Sequence, residues 1–398
     1  MSKLKELIQQ YCPDGVEYKK VGNVADYEQP SKYLVKSTDY NDDFETPVLT
    51  AGQTFVLGYT NEIDGIYPAS KESPVIIFDD FTAAFKWVDF PFKAKSSAMK
   101  MITAKGNVLI RYLYHLMGFL NYSSDEHKRL WLSLYSEFKI PVPPLPVQRE
   151  IVRILDKFTE LTAELTAELT ARKKQYEFYR DKLLTFDNAK VPQLELRSVV
   201  KKSCSGSTPT KGNSEYYTNG TIPWIRTQDV RFNEITEVDS YITEKAVAET
   251  AAKWIPENCV IVAISGATAG RCAINKIKAT TNQHCLNLEI DETKALYKYI
   301  YYCVYNKYDE LISRKQGARG DLNSSLVLSL KIPVPSLEVQ KRLVYVLDNF
   351  DAICSDLKIG LPAEIEARKK QYEFYRDALL TYAATGIIIQ TDRQTEHN

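Results

Sequence analysis

The sequence has no excess of charge of one sign and no long apolar run. Its 398 residues include 51 basic and 51 acidic side chains, so the formal net charge is zero. Any positively charged surface that binds a polyanion such as DNA must therefore be confined to part of the protein. No apolar stretch approaches the roughly 20 residues that span a bilayer, and the first 15 residues lack the apolar core of a signal peptide. We expect a cytoplasmic protein.

Several motifs that would indicate chemistry are missing. The seven cysteines are scattered without a Cys-x-x-Cys pair, which argues against a zinc site and a disulfide framework. Residues 266–271 lack the spacing and the lysine of a phosphate-binding loop, and no Asn-Pro-Pro-aromatic sequence of amino-methyltransferases is present. Asp79-Asp80 could resemble a metal-binding carboxylate pair, but partners at nuclease spacing are missing. We predict no metal and no catalytic residue.

The chain contains one large unit twice. Residues 171–181 recur unchanged at 367–377, an eleven-residue identity far outside chance. The similarity extends upstream, where Lys-Ile-Pro-Val-Pro occurs at 139–143 and again at 331–335. Residues 16–24 also match 191–199, at an offset of 175. The order is therefore a variable domain, a near-constant segment, a second variable domain and a second near-constant segment.

The near-constant segments have the apolar spacing of long helices. Steps of three, four and seven residues keep one seam facing a partner helix, and prolines before each segment suit a helix start. Two complementary seams in one chain predict an antiparallel pair. Residues 360–362, Gly-Leu-Pro, should break or kink the second helix. The predicted seam and docking residues are Leu155, Phe158, Leu165, Leu169, Tyr176, Tyr179, Leu183, Leu347, Phe350, Tyr372, Tyr375 and Leu379.

A four-residue repeat, Leu-Thr-Ala-Glu, lies inside the first helix at 161–171. Each unit adds roughly 6 Å to a helix, whereas duplex DNA rises about 3.4 Å per base pair. One unit more or less would shift the flanking domains by about one to two base pairs. A plain alanine-rich spacer of good helix propensity is the alternative, and both can hold together.

The variable domains, roughly 16–140 and 190–331, have a mixed α/β pattern. Strands are predicted at 47–50, 75–78 and 259–264, and helices around 108–117 and 294–308. Their loops mix basic, amide and aromatic side chains, which suit bases and phosphates. Any single such loop is better explained as a solvated turn. The candidate DNA-binding residues are Lys32, Tyr33, Thr50, Gln53, Lys86, Lys95, Ser96, Lys100, Lys128, Arg129, Lys211, Trp224, Arg226, Gln228, Arg271, Gln283, His284 and Arg319.

With these motifs the chain resembles the specificity subunits of type I restriction–modification enzymes. The resemblance rests on both Lys-Ile-Pro-Val-Pro segments, both identical helices and the Leu-Thr-Ala-Glu spacer. Residues 206–209, 222–224 and 281–283 are similar to sequences of that family's target recognition domains, as are 47–52, 75–82 and 95–100. It covers nearly the whole chain, with the Gly-Leu-Pro break as a departure.

The resemblance implies two α/β (α+β) target recognition domains, separated by a pair of long antiparallel coiled-coil helices, with an internal pseudo-twofold repeat. The domains would be 1–143 and 188–335, the helical spacers 144–187 and 336–384, and the tail 385–398. Each domain would read half of a bipartite asymmetric DNA site. The helices would dock two modification (methyltransferase) subunits, with restriction (translocase/nuclease) subunits joining further. S-adenosylmethionine, ATP and Mg²⁺ would belong to those partners.

Two other functions remain open at this point. A nuclease or methyltransferase acting alone would need the catalytic motifs that the sequence lacks. A stand-alone coiled-coil scaffold without DNA specificity would use the helices and leave the loops without a role. The duplicated arrangement of variable domain and helix favours the DNA-specificity subunit.

Overall fold

A computed structural model describes residues 2–52, 54–124, 128–187, 189–315 and 321–386. Gln53, Arg319 and the apolar run at 387–389 lie outside the described residues. The chain divides into two compact units, one formed by residues 1–166 with 364–398 and the other by residues 167–363. No helix in the described ranges is long and apolar enough to cross a membrane.

The helices and strands of the first variable region and the helix that follows it are, in chain order, α1 Ser2–Tyr11, β1 Tyr18–Lys20, α2 Val21–Val24, β2 Ala25–Glu28, β3 Thr46–Leu49, β4 Val56–Thr60, β5 Val75–Asp79, β6 Phe85–Val88, β7 Lys93–Ala94, β8 Met99–Ala104, α3 Ile110–Leu120, α4 Leu130–Ser133, β9 Lys139–Pro141 and α5 Leu145–Leu183.

The second region follows with β10 Gln193–Glu195, β11 Val200–Ser205, β12 Ile222–Ile225, β13 Asn233–Ile235, β14 Tyr241–Ile242, α6 Glu244–Glu249, β15 Trp254–Ile255, β16 Val260–Ala263, β17 Cys272–Asn275, β18 Ala279–Thr281, β19 Cys285–Ile290, α7 Tyr297–Asn306, α8 Tyr308–Ser313, α9 Ser324–Leu328, β20 Lys331–Pro333, α10 Leu337–Ser355 and α11 Leu361–Thr385.

The two variable domains share one topology. The order β2-β8-β5-β6 in the first domain corresponds to β11-β19-β16-β17 in the second, where β13 extends the sheet. A smaller sheet, β4-β3-β7 in the first domain, corresponds to β14-β12-β18, with β15 added. Strand β1 pairs with β9 and β10 pairs with β20 in the same register, which confirms the offset of 175. The strands predicted at 47–50, 75–78 and 259–264 are confirmed as β3, β5 and β16, and the predicted helices as α3 and α7.

A buried glutamine anchors each variable domain to its helix. The side chain of Gln148 accepts a hydrogen bond from Leu109 N at 2.9 Å and donates to Asn107 O and Pro143 O. Its counterpart, Gln340, accepts from Leu296 N at 2.9 Å and donates to Lys294 O and Pro335 O. Both side chains are fully buried. Each amide therefore satisfies backbone groups at the start of α3 or α7, which would otherwise be buried without partners.

The helix pairing is antiparallel, as predicted, but it is assembled from halves. In the unit containing the first variable domain, Phe158 of α5 stacks on Tyr375 of α11 with ring centroids 5.0 Å apart. In the other unit, Phe350 of α10 stacks on Tyr176 and Tyr179 from the last part of α5. Each unit thus combines its variable domain with the first part of its own constant segment and the last part of the other.

The other predicted seam residues lie along the same helices. Leu155 and Leu379 are buried in the core of the first unit, and Leu347 is buried in the second. Leu169 and Leu183 pack partly buried against the second core, and Leu165 is half-buried. The apolar seam is therefore divided between the two cores.

The predicted break at Gly-Leu-Pro is confirmed. Helix α10 ends at Ser355 and α11 begins at Leu361, with Pro362 in its first turn. A Cβ on Gly360 would lie 2.5 Å from Ala352 O and 2.7 Å from Asp356 O, so only glycine fits against the preceding turn. Helix α5 is continuous because it contains no glycine and no proline after its first turn.

A partly buried polar network links α3 to both helices of the first unit. Asp156 accepts from Arg111 Nε at 2.7 Å and from His115 Nε2 at 3.0 Å, and Tyr372 O–H lies 2.8 Å from His115 Nδ1. Burial lowers the pKa of His115 despite the nearby carboxylate. The neutral ring therefore accepts from Tyr372. In the second unit, Lys298 and Tyr302 occupy the corresponding positions and bind Asp348 at 2.9 and 2.7 Å.

Replacing either buried glutamine should destabilise the unit that contains it. We expect Gln148→Ala or Gln340→Ala to lower the free energy of unfolding by about 2–4 kcal/mol, because each leaves buried backbone groups unpaired. Urea unfolding measures this loss, and hydrogen exchange should locate it at the start of α3 or α7. Gln10→Ala, at an exposed position of α1, is the control; equal stability of all three variants would contradict the anchoring role.

Candidate nucleic-acid interface

The polar loops of the second domain converge at the end of a parallel strand pair. Strands β12 and β18 run parallel, with Trp224 opposite Thr280. Their carboxyl ends therefore lie at one edge of the small sheet. Arg226 follows β12 and Asn282 follows β18, and Asn282 N donates to Ile225 O at 2.9 Å. This bond brings the two loops together.

These loops enclose a cavity of about 580 Å³. Five predicted candidates line it, namely Lys211, Trp224, Arg226, Gln283 and His284. Thr208, Tyr217 and Asn282 complete the lining. We call this set of eight residues the second-domain pocket. Residues 75 positions apart in sequence meet here, since the Thr208 hydroxyl is hydrogen-bonded to Gln283 Oε1.

Arg226 is the side chain in the pocket with the clearest unmet hydrogen-bonding capacity. Its guanidinium carbon lies 5.9 Å from the centre of the Trp224 ring. Its Nε is buried and has no hydrogen-bond partner among the described residues. Gln283 differs, because its amide already contacts Thr208 and lies 3.1 Å from His284 Nε2. A buried donor without a partner is costly unless a ligand supplies an acceptor.

Glycine is required where the chain enters this pocket. A Cβ on Gly206 would lie 1.9 Å from Thr281 O. The close approach lets Ser207 N donate to Thr281 O at 2.9 Å, and Ser207 O accepts from the Trp224 indole at 3.1 Å. The segments 206–209, 222–224 and 281–283 therefore lie together around one backbone contact.

The first domain has the equivalent edge with different side chains. Strands β3 and β7 run parallel, and Lys95 N donates to Leu49 O at 3.1 Å, as Asn282 N does to Ile225 O. Thr50 and Lys95 therefore occupy the positions of Arg226 and Asn282, and Ser96 that of Gln283. The Lys95 ammonium lies 3.1 Å from the Tyr40 hydroxyl.

The remaining candidates of the first domain lie at varying positions. Tyr33 O accepts from Ala94 N at 2.8 Å, so the segment with Lys32 and Tyr33 runs beside β7. Both side chains also contact Glu28. Lys86 lies on the edge strand β6, not in a loop as predicted. Lys128 and Arg129 are exposed just before α4.

Among the described residues of the second domain, two candidates lie outside the pocket lining. Gln228 is exposed in a single 3-10 turn after Arg226, and Arg271 is half-buried before β17. Arg271 O accepts from Ala263 N at 2.9 Å, next to Ile264, whose N–H bonds His284 O. Tyr40 and Tyr217 were not among the predicted residues, and no motif in the sequence marks them.

Lys100 is a correction to the predicted set. Its side chain is 1 % exposed, and its ammonium lies 3.1 Å from the equally buried carboxylate of Asp80. Asp80 also accepts from Trp131 N at 2.8 Å, and Asp79 Oδ1 accepts from Phe81 N and Thr82 N. Lys100 therefore cannot reach a phosphate, and both carboxylates serve the fold.

Comparisons with known proteins agree with this duplicated arrangement. The family model described as the type I restriction modification DNA specificity domain matches residues 13–172 and 190–367. The specificity subunit of the type I restriction enzyme EcoR124I/EcoR124II from Escherichia coli is 45% identical over 401 residues, covering 96% of this chain and 97% of the relative. A putative type I specificity subunit from Haemophilus influenzae is 29% identical, covering 92% of this chain and 96% of the relative.

Solved structures show the same fold. The S subunit of a type I restriction–modification system from M. genitalium matches with a TM-score of 0.53 at 13% identity, covering 93% of this chain and 97% of that one. A chain from a study of type I system assembly and conformational transition matches with a TM-score of 0.58 at 17% identity, covering 92% and 98%.

Two similar variable domains on shared helices, each matched by a DNA specificity domain model, define a DNA-recognition protein. The chain belongs to the specificity subunits of type I restriction–modification systems. Members of this family recognise DNA and are not catalytic, so the prediction of a non-enzymatic subunit is confirmed. The family thereby excludes the single-chain enzyme and the scaffold without DNA specificity.

Adding a methyl group at Gly206 should disrupt the second-domain pocket. Gly206→Ala places a carbon against Thr281 O, so we expect a loss of about 1–3 kcal/mol in unfolding free energy from overpacking. Thermal unfolding of the full chain measures it. Gly212→Ala is the matched control, because nothing lies within 4 Å of its added Cβ; a Gly206→Ala variant as stable as this control would rule out the tight contact.

Proposed function

We propose that each variable domain reads one half of a split, asymmetric DNA site. The observation that carries this proposal is the equivalence of the two strand edges. The same backbone bond positions Thr50, Lys95 and Ser96 in one domain and Arg226, Asn282 and Gln283 in the other. An identical scaffold with different side chains suits the reading of two different sequences.

The side chains at the second edge suit the major groove. Arginine binds the O6 and N7 acceptors of guanine bidentately, and an amide can pair with adenine. Arg226, with its buried unpaired Nε, is our candidate for a guanine contact. Lys211, exposed at the pocket rim, suits a phosphate, as does Lys95 in the first domain.

We extend the proposal to the domains and partners. Residues 1–143 and 188–335 act as the recognition domains, and 144–187 and 336–384 as spacers that fix the distance between half-sites, with 385–398 as a tail. The spacers dock two modification subunits, which restriction subunits join. S-adenosylmethionine, ATP and Mg²⁺ act in those partners during adenine methylation and restriction. As part of such a complex, the protein acts in the cytoplasm.

Mapping adenine methylation tests the bipartite reading. Cells carrying this chain with its modification subunit should methylate a site with two different specific halves and a fixed unspecified gap. Exchanging residues 190–331 for those of a relative should change one half alone. Methylation of a short undivided palindrome would contradict the proposal.

Truncating Arg226 should relax specificity at one base pair. We expect Arg226→Ala to weaken binding to the preferred site by about 1–3 kcal/mol and to remove discrimination at one position of one half-site. Competition binding with every single-base variant of the site, using the complex with modification subunits, measures both effects.

Arg231→Ala is the matched control in the same domain. Arg231 is exposed, and its Nε already donates to Gln228 O at 2.6 Å. It should leave base preference unchanged, whereas Lys211→Ala should weaken all sequences alike and reduce the salt dependence. Unchanged base preference in Arg226→Ala would remove Arg226 from the reading set.

A further inference from the structure

The second domain exposes a tryptophan on the strand at the edge of its small sheet. Trp254 on β15 is 40% exposed, whereas Trp131 and Trp224 are buried. Single exposed apolar side chains are common on protein surfaces, so the position of Trp254 and the charge around it decide whether it has a role. Both indicate a binding surface.

Trp254 lies on the same face of the sheet as the second-domain pocket. It is opposite Thr280 on β18, and Thr280 is opposite Trp224 on β12. Residues in register across neighbouring strands project from one face, so the two tryptophans flank Thr280 on the face that the pocket uses. Two strand spacings separate their backbones by roughly 10 Å. Because β15 runs antiparallel to β18, Lys253 lies toward the edge at which Asn282 follows β18.

The surroundings of this tryptophan are positively charged. Residues 250–256 and 276–282 contain three lysines and no acidic residue. The ammonium of Lys278 lies 4.7 Å from the centre of the Trp254 ring. Lys253 and Lys278 are exposed, and neither forms an ion pair within the described parts of the chain. Both ammonium groups are therefore available to an anion.

The first domain provides an internal comparison. There the segment with Lys32 and Tyr33 runs beside β7, the counterpart of β18, and Leu34 forms the bridge to Ala94. A lysine followed by an aromatic residue therefore lies at the equivalent edge of both domains. In the first domain Glu28 offsets the charge, because its carboxylate lies 3.6 Å from the Lys32 ammonium and accepts from the Tyr33 hydroxyl at 3.1 Å. The second domain has the same pair of residue types without the acid.

We propose that Lys253, Trp254 and Lys278 form a phosphate-binding surface that contacts the DNA backbone beside the second half-site. We call these three residues the edge patch. This rests on the proposed function. The two ammonium groups donate to phosphate oxygens, while the indole ring packs against a sugar and holds Lys278 in place through a cation–π contact. Such contacts fix the position of the DNA without reading its bases.

The position of the edge patch favours DNA over an acidic protein surface, which would offer similar charge. The patch lies beside the pocket that reads bases, on the same face of the sheet. Its distance from Trp224, roughly 10 Å, corresponds to about three base-pair steps of 3.4 Å. The contacted phosphates therefore lie about three base pairs from the bases that the pocket reads.

Removing charge tests the edge patch. In the complex with modification subunits, Lys253→Gln and Lys278→Gln should each reduce the slope of log K against log salt by about 0.9, and the double variant by about twice that. Trp254→Ala should weaken binding by about 2- to 5-fold, and Trp254→Phe, which keeps a ring beside Lys278, should restore most of the loss. Ethylation interference should disappear at phosphates beside the second half-site, while base preference should match wild type.

Two matched controls come from the same domain. Lys201→Gln removes an exposed lysine whose ammonium lies 2.6 Å from Glu289. Tyr241→Ala removes an aromatic ring that is 43% exposed on β14, at the opposite edge of the small sheet. Both variants should keep the affinity and the salt slope of wild type.

An unchanged salt slope in the double lysine variant would overturn the edge patch, even if the complex still selects a bipartite site. Loss of a modification subunit from that variant, measured by native mass spectrometry, would assign the patch to a protein partner and would also overturn the proposal. A reduced slope in a complex that selects no bipartite site would contradict the proposed function and support the edge patch.

Discussion

The structure depends on a buried side-chain amide that occurs twice. Gln148 and Gln340 join the start of a core helix to the loop that leads into a long helix. Because the amide binds only backbone atoms, it fixes the domain without restricting the side chains of the polar loops. Variable domains can therefore diverge above a junction that stays the same. This separation allows the two halves of the chain to keep the same junction between domain and helix, while their variable domains carry different loop side chains.

The long helices were predictable from the sequence to a larger extent than the polar loops of the variable domains. The internal repeat and the apolar spacing identified the helices, their antiparallel pairing and the break near Gly360, because these follow from local rules of helix formation. The exchange by which each unit takes half of its helix pair from the other segment was not predictable from the sequence. That arrangement depends on which hydrophobic core the apolar residues of each helix enter. The spacing of these apolar residues is alike in both segments, so it does not distinguish the two cores.

The candidate DNA-binding residues were harder to predict from the sequence. Lys211, Trp224, Arg226, Gln283 and His284 were selected by residue type, and the fold brings them into one pocket. Lys100 was selected by the same criterion, yet it is buried against Asp80. A lysine in a strand and a lysine in a loop have the same chemistry, so only the pairing of β8 with its neighbours separates them. Tyr40 and Tyr217 gave no sequence signal, because the contacts of Tyr40 with Lys95 and of Tyr217 with the Pro209 carbonyl form only in the folded chain.

The unbroken helix α5 has a consequence for how this protein can change. An α-helix turns by about 100° per residue, so one inserted residue would rotate everything after it by more than a quarter turn. The part of α5 after the insertion would then present a different side. Four inserted residues rotate it by about 40° beyond a full turn, which a flexible seam can absorb. The Leu-Thr-Ala-Glu repeat supplies such steps, so α5 can change its length in units of four residues.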